Sequence, residues 1–153
     1  MNAKLFLRGA ALITLLLAVG HTLGSPWTPA HSPQGLAVVA AMQGYRFPAM
    51  GFERSYYEFY VGFGWLLGVY AVGHAILFWQ LAGLSTQLAG KLRPVIAVLC
   101  LEALGAAVLD WEFLFWAPIA FGGATALCLA IAWLLLRPGT VAEDTRVMAP
   151  PQR

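Results

Sequence analysis

The chain has 153 residues, of which 60% are hydrophobic and only 10% charged, with a mean hydropathy of +0.73 and a formal net charge of +2. A soluble globular domain carries about 25% charged residues, so these charges are too few to solvate a globule, and the bilayer is the natural solvent. The cations are scattered, which argues against a nucleic-acid surface, and the two cysteines, Cys100 and Cys128, lie far apart in apolar runs with no thiolate motif between them.

A membrane span needs about 20 mostly apolar residues, and lipid permits only helices or closed barrels. In chain order, the first predicted span covers residues 5–24, LFLRGAALITLLLAVGHTLG. Lys4 and Arg8 ahead of an apolar run also fit a cleavable signal peptide. That rival leaves three spans in the same orientation.

A first loop of about thirty residues comes next, long for a plain connector. It contains a predicted helix over 33–43. Ser32 is placed to cap it, Pro33 suits its first position and Gly44 offers a stop. This helix is apolar nearly all round and too short to span, so it is expected in the interface or against the bundle.

The second span is predicted over 57–82, the third over 92–109 and the fourth over 113–136. Pro94 falls in the first turn of the third on these bounds, and Pro118 near the start of the fourth. Asp110 and Glu112 are read as a tight turn between the last two spans. Residues 137–153, with Pro138, Gly139, Pro150 and Pro151 and little apolar mass, are expected to form a flexible cytoplasmic tail.

Charge sets the orientation. Lys4, Arg8, Lys91, Arg93, Arg137, Arg146 and Arg153 fall on one side of a four-span arrangement, with only Arg46 and Arg54 on the other. Both termini are therefore expected in the cytoplasm. The fold class is all-α, a transmembrane four-helix bundle with a short interfacial helix in the first extracytoplasmic loop, over a membrane domain of residues 1–136.

At the start of the second span stands GFERSYYEFYVGFG, residues 51–64. If this stretch is helical, Arg54 and Glu58 are four apart and pair on one face. Tyr57 and Tyr60 sit where amphipathic rings meet the headgroups. An aromatic belt with a charged helix start explains these residues. So does an outward-facing polar pocket beneath the loop helix. Deeper in the span, Gly64, Gly68, Ala71 and Ala75 form a stripe of small residues suited to helix packing. A neighbouring span, a homo-oligomer or a membrane-protein partner could occupy it. Gly122 and Gly123 suggest the same role in the fourth span.

Three ionisable residues fall inside predicted spans: His21, His74 and Glu102. Such groups are costly at depth and usually face the bundle interior. The helical rise places them at three different depths. A bis-histidine haem needs both imidazoles at one level, and a di-iron site needs E-x-x-H pairs; the chain offers neither. His21 and His31 lack a recognised zinc spacing. No phosphate loop or nucleophile elbow occurs. No cofactor and no metal is expected.

R-S-Y-x-E-F-Y-x-G-F-G at 54–64, with H-T-x-G at 21–24, resembles an uncharacterised family of small bacterial four-span membrane proteins. The resemblance covers about the first half of the chain and implies a bacterial cytoplasmic (inner) membrane location; the family has no assigned chemistry, so the resemblance supplies no activity. Architecture alone is similar to DoxX-type proteins and to sterol-isomerase-like four-span domains. The sequence reading is a non-catalytic helix-packing or accessory component. The alternative is binding of a lipid- or quinone-like amphiphile in a polar cavity built from His21, Arg54, Tyr57, Glu58, Tyr60, His74 and Glu102, with isomerase or reductase chemistry as an extension.

The orientation is testable with reporter fusions. A reporter of extracytoplasmic location is expected to score after Pro29 and to stay silent after Ala89 and Arg153. A strong signal at either of the latter overturns the orientation, and an intact mass beginning at Met1 excludes cleavage.

Overall fold

The computed structural model describes residues 2–24 and 31–136. The predicted tail over 137–153, with the arginines and prolines in it, lies outside the described residues, as do Pro26 and Pro29. The elements are α1 (Ala3–Gly24), α2 (Pro33–Gly44), β1 (Arg46–Ala49), β2 (Phe52–Ser55), α3 (Tyr56–Leu84), α4 (Ala89–Phe113) and α5 (Trp116–Leu135). The protein is an all-α helical bundle, and α1, α3, α4 and α5 are each long and apolar enough to cross a membrane.

The described residues form two compact units, 2–14 with 75–136, and 15–24 with 31–74. In the first, all four long helices contribute to one core. Leu7 from α1, Phe78 and Ala82 from α3, Ile96 from α4 and Leu129 from α5 are buried together. Large exposed apolar residues are numerous, Val98, Leu101 and Val108 of α4 among them. A bilayer-facing surface requires this, because lipid tails are as apolar as the side chains they touch. Close packing in the core therefore depends on small residues and on polar bonds between helices. A Cβ added at Gly122 of α5 would stand 3.4 Å from the Cβ of Ala107 on α4, and one at Gly9 would stand 3.6 Å from the Cys128 sulfur. Gly122 thus has the packing role expected of it, whereas Gly123 has open space. The hydroxyls of Thr14 and Thr125, both buried, hydrogen-bond across α1 and α5 at 3.3 Å. The Cys100 thiol donates to the Ala126 carbonyl at 3.5 Å.

Arginine is accommodated in this unit by aromatic faces. Arg8 lies over Trp79 at 4.9 Å and Arg93 over Trp133 at 4.3 Å. An arginine on an indole face keeps its charge while its stem covers apolar surface.

Two sequence readings of this unit are corrected. Asp110 and Glu112 lie in the last turn of α4, and the α4–α5 connection is Leu114 and Phe115. Apolar periodicity stops at the acids, but the helical hydrogen bonds continue, with the Leu114 amide donating to the Asp110 carbonyl at 2.9 Å. Because α4 begins at Ala89, Pro94 is inside the helix and not in its first turn. Its ring removes the N–H that would otherwise bond the carbonyl four residues earlier. Pro118 does fall in the first turn of α5, where amides have no intrahelical partner to lose.

In the second unit, α2 forms where Ser32 and Pro33 predict it. The Ser32 hydroxyl accepts the Gly35 amide at 3.0 Å. No residue of α2 is buried. Gly44 ends the helix without a left-handed turn, since Gly51 is the glycine with positive φ among the described residues. Beyond α2 the chain forms a two-stranded antiparallel hairpin that the sequence pattern does not announce. Its register pairs Arg46 with Ser55 and Ala49 with Phe52, leaving Met50 and Gly51 as the turn. Both turn residues have positive φ, 50° and 89°, as the tightest hairpin turns require. Pro48 is tolerated because each strand of a two-stranded ribbon is an edge.

The Thr14–Thr125 bond supplies a test of the core. A double-mutant cycle of Thr14→Val and Thr125→Val in unfolding from detergent should show a coupling of about 0.6 kcal/mol, the usual worth of an interhelical polar bond in a membrane. Strictly additive single mutants would show that the two hydroxyls do not stabilise each other.

Candidate binding site at the head of α3

An isolated two-stranded ribbon is marginal in water, and the β1–β2 ribbon is held by the start of α3. Ser55 and Glu58 form a reciprocal capping box. The Ser55 amide donates to Glu58 Oε2 at 2.6 Å, and the Glu58 amide donates to the Ser55 hydroxyl at 3.2 Å. Ser55 is 2% exposed. The same Glu58 oxygen stands 3.7 Å from Arg46 Nη2. Arg46 also faces Glu53 Oε2 at 3.9 Å and donates to the Glu53 carbonyl at 2.9 Å. An aromatic chain closes the hairpin onto the helix. Tyr45 stacks on Tyr56 at 5.7 Å, Phe47 meets Tyr56 at 4.9 Å and Phe59 at 5.7 Å, and Phe59 meets Phe63 at 6.1 Å. Such pairs add about 0.5–1.5 kcal/mol each beyond their area.

Arg54 and Glu58 do not share a helix face, contrary to the expectation from their spacing, because Arg54 lies in β2 and the helix begins at Tyr56. They meet instead across the strand–helix junction, where both line a shallow, open groove of about 240 Å³. Phe59, Gly62, Phe63 and Leu66 complete it. Glu58, Gly62 and Leu66 recur at the four-residue spacing that puts side chains on one helix face. Gly62 carries no side chain to fill the space between the rings. The groove is polar at the first turn of α3 and apolar below. Arg54 donates to the Glu53 carbonyl at 3.2 Å and lies over the Phe52 ring at 5.1 Å.

The other expected site residues are distributed elsewhere. Tyr57 and Tyr60 contact each other, with ring centroids 6.5 Å apart, and do not line the groove. His21 donates through Nε2–H to the Gly64 carbonyl at 2.8 Å, joining α1 to α3. His74 donates through Nδ1–H to the Tyr70 carbonyl at 2.9 Å. The acceptor is the backbone of Tyr70, not its phenol. On the helical rise His74 lies about 24 Å along α3 from Glu58. Glu102 is on an exposed face of α4, does not line this groove and belongs to the other compact unit. The small-residue stripe is used within the chain. Gly68, Ala71 and Ala75 are buried, and a Cβ on Gly68 would stand 3.5 Å from the Thr22 hydroxyl of α1. Gly64 supplies the carbonyl that His21 binds.

Arg46, Ser55, Phe59, Gly62, Phe63 and Leu66 were missing from the sequence reading of the site. Ser55 was detectable, since S-x-x-E at 55–58 is the capping-box pattern. Among the described residues, no group of three or more His, Cys, Asp or Glu side chains is placed to hold a metal ion.

No family model, no curated protein and no solved structure matches this chain. Its four apolar helices fit a small four-span membrane protein.

The capping box predicts an asymmetric pair of variants. Ser55→Ala should cost about 1 kcal/mol of stability and speed amide exchange over the first turn of α3. Glu58→Gln keeps the reciprocal bond and should leave both close to the parent. Equal damage from the two would show that charge, not capping geometry, starts the helix.

Proposed function

We propose that this chain is a non-catalytic multi-pass protein of a bacterial cytoplasmic membrane, with both termini cytoplasmic, that holds a lipid- or quinone-like amphiphile in the groove at the head of α3. The carrying observation is the groove itself. Arg54 and Glu58 stand at one end and Phe59, Phe63 and Leu66 continue along the helix. An amphiphile has this same order of chemistry, a polar head followed by an apolar chain. Glu58 to Leu66 spans about 12 Å of helix, within the roughly 15 Å of hydrocarbon in one leaflet. The position of Tyr56, Tyr57 and Tyr60 beside the polar end agrees with a headgroup level.

The groove's shape favours holding over chemistry. Enclosed ligand pockets run from about 300 to 1,000 Å³ and bury most of their ligand. This one is smaller, at about 240 Å³, and open along its length. Proton transfer needs an acid or base within hydrogen-bond reach of the reacting atom. Glu58 is the one carboxylate or imidazole among the residues lining the groove, and His21, bonded to the Gly64 carbonyl, does not line it. The isomerase or reductase extension would need a second acid or base brought to Glu58.

A photoreactive fatty-acid analogue added to the full chain in membranes tests this reading. Labelling is expected to concentrate on the peptide carrying Phe59 to Leu66, to be displaced by excess unlabelled lipid and to fall about tenfold in Arg54→Ala, the usual worth of a hydrogen bond to a charged group. Labelling spread evenly over the exposed faces of the four spans would overturn it.

A further inference from the structure

The charges at the mouth of the groove are of both signs, and their engagement differs. Arg46 stands 3.9 Å and 3.7 Å from the carboxylates of Glu53 and Glu58 and donates to the Glu53 carbonyl. Arg54 is within 4.0 Å of no carboxylate among the described residues, and its one hydrogen bond goes to the Glu53 carbonyl. A guanidinium carries five donors in a planar fork, so Arg54, which lies over the Phe52 ring and spends one donor on the Glu53 carbonyl, has donors to spare at the groove it lines. Glu58 uses Oε2 for the Ser55 amide and for Arg46. Its Oε1 makes no hydrogen bond among the described residues. The residues lining this 240 Å³ space therefore include a guanidinium with unused donors and a carboxylate with one oxygen that accepts no hydrogen bond among the described residues.

We infer that the amphiphile is a zwitterionic phospholipid whose head group joins a phosphate to a primary ammonium, as in an ethanolamine-type lipid. This rests on the amphiphile reading of the same groove. The phosphate suits Arg54, because planar bidentate recognition of phosphate is what a guanidinium does better than any other side chain. The ammonium suits Glu58 Oε1, which needs a donor. A glycerol-type anionic head satisfies Arg54 but sets its negative charge beside Glu58 with no cation to offset it. A quinone brings only carbonyl acceptors, which cannot donate to Oε1. A choline head brings the charge without an N–H. The acyl chain runs along Phe59, Phe63 and Leu66, which separates a lipid from a free phosphorylated amine.

The test uses the full chain purified in mild detergent and exchanged with ethanolamine, glycerol and choline phospholipids of identical acyl chains. Retained lipid is read by native mass spectrometry, and folding by circular dichroism and elution volume. The parent is expected to retain the ethanolamine lipid up to about fivefold over the glycerol lipid, the range of a single exposed ion pair. Arg54→Gln should lose all three, whereas Arg54→Lys should keep weakened binding with the same order. Glu58→Gln keeps the capping box, so it should fold, retain lipid and lose the preference for ethanolamine. Equal or better retention of the glycerol lipid by the parent, or an unchanged preference in Glu58→Gln, overturns the head-group assignment and leaves amphiphile binding standing. Retention of no lipid by a folded parent overturns both.

Discussion

The reciprocal bond between Ser55 and Glu58 is the constraint on which the arrangement around the groove depends. It ends a strand and begins a helix in the space of one residue. Without it, the chain has no defined angle between the hairpin and α3, and Arg54 has no fixed position relative to Phe59 and Phe63. The bond also divides the work of one carboxylate. Oε2 holds the backbone and faces Arg46, and Oε1 accepts no hydrogen bond among the described residues. The aromatic chain from Tyr45 to Phe63 then fixes the ribbon against the helix it precedes.

Away from that junction the physics is that of helices in lipid. There is no hydrophobic drive between helices already surrounded by apolar solvent, so contact must come from shape and from bonds. Both are visible in short-range pairs. Gly122 admits Ala107, Gly9 admits Cys128, and Gly68 admits Thr22. Thr14 bonds Thr125, and His21 bonds the Gly64 carbonyl. The histidine bond shows why an imidazole inside a span need not mark a reaction. It gives a helix carbonyl a second partner and ties one span to the next.

The spans were legible because a run of about 20 apolar residues has few alternative meanings in a chain this poor in charge. Their ends were less so. The acids at 110 and 112 look like solvent-seeking turn residues, yet a helix end near the membrane surface carries them without unwinding. The α2 helix was legible from Ser32 and Pro33, whose roles are local. The hairpin was not, because Met-Gly is a poor substitute for the Asn-Gly signal and Pro48 reads as a strand breaker. At the candidate site, Arg54 and Glu58 were legible as charged residues misplaced for a plain span. Their geometry was not, since it depended on where the helix begins. Tyr57, Tyr60 and His74 share that region of sequence or that chemistry, but helical rise and face, which a linear pattern leaves open, keep them out of the groove, and Glu102 belongs to the other compact unit.

The two arginine–tryptophan contacts have a consequence for how the chain is made as well as how it is held. Arg8 and Arg93 are among the cations on which the expected orientation rests, and a positive-inside bias reads charge alone. The same two guanidiniums stand over the rings of Trp79 and Trp133, at a stacking site where an ammonium does not substitute for a guanidinium. Lysine at either position carries the same information to the insertion machinery and a poorer fit to the finished fold. Biogenesis and packing thus place different demands on one residue, and arginine is the side chain that meets both.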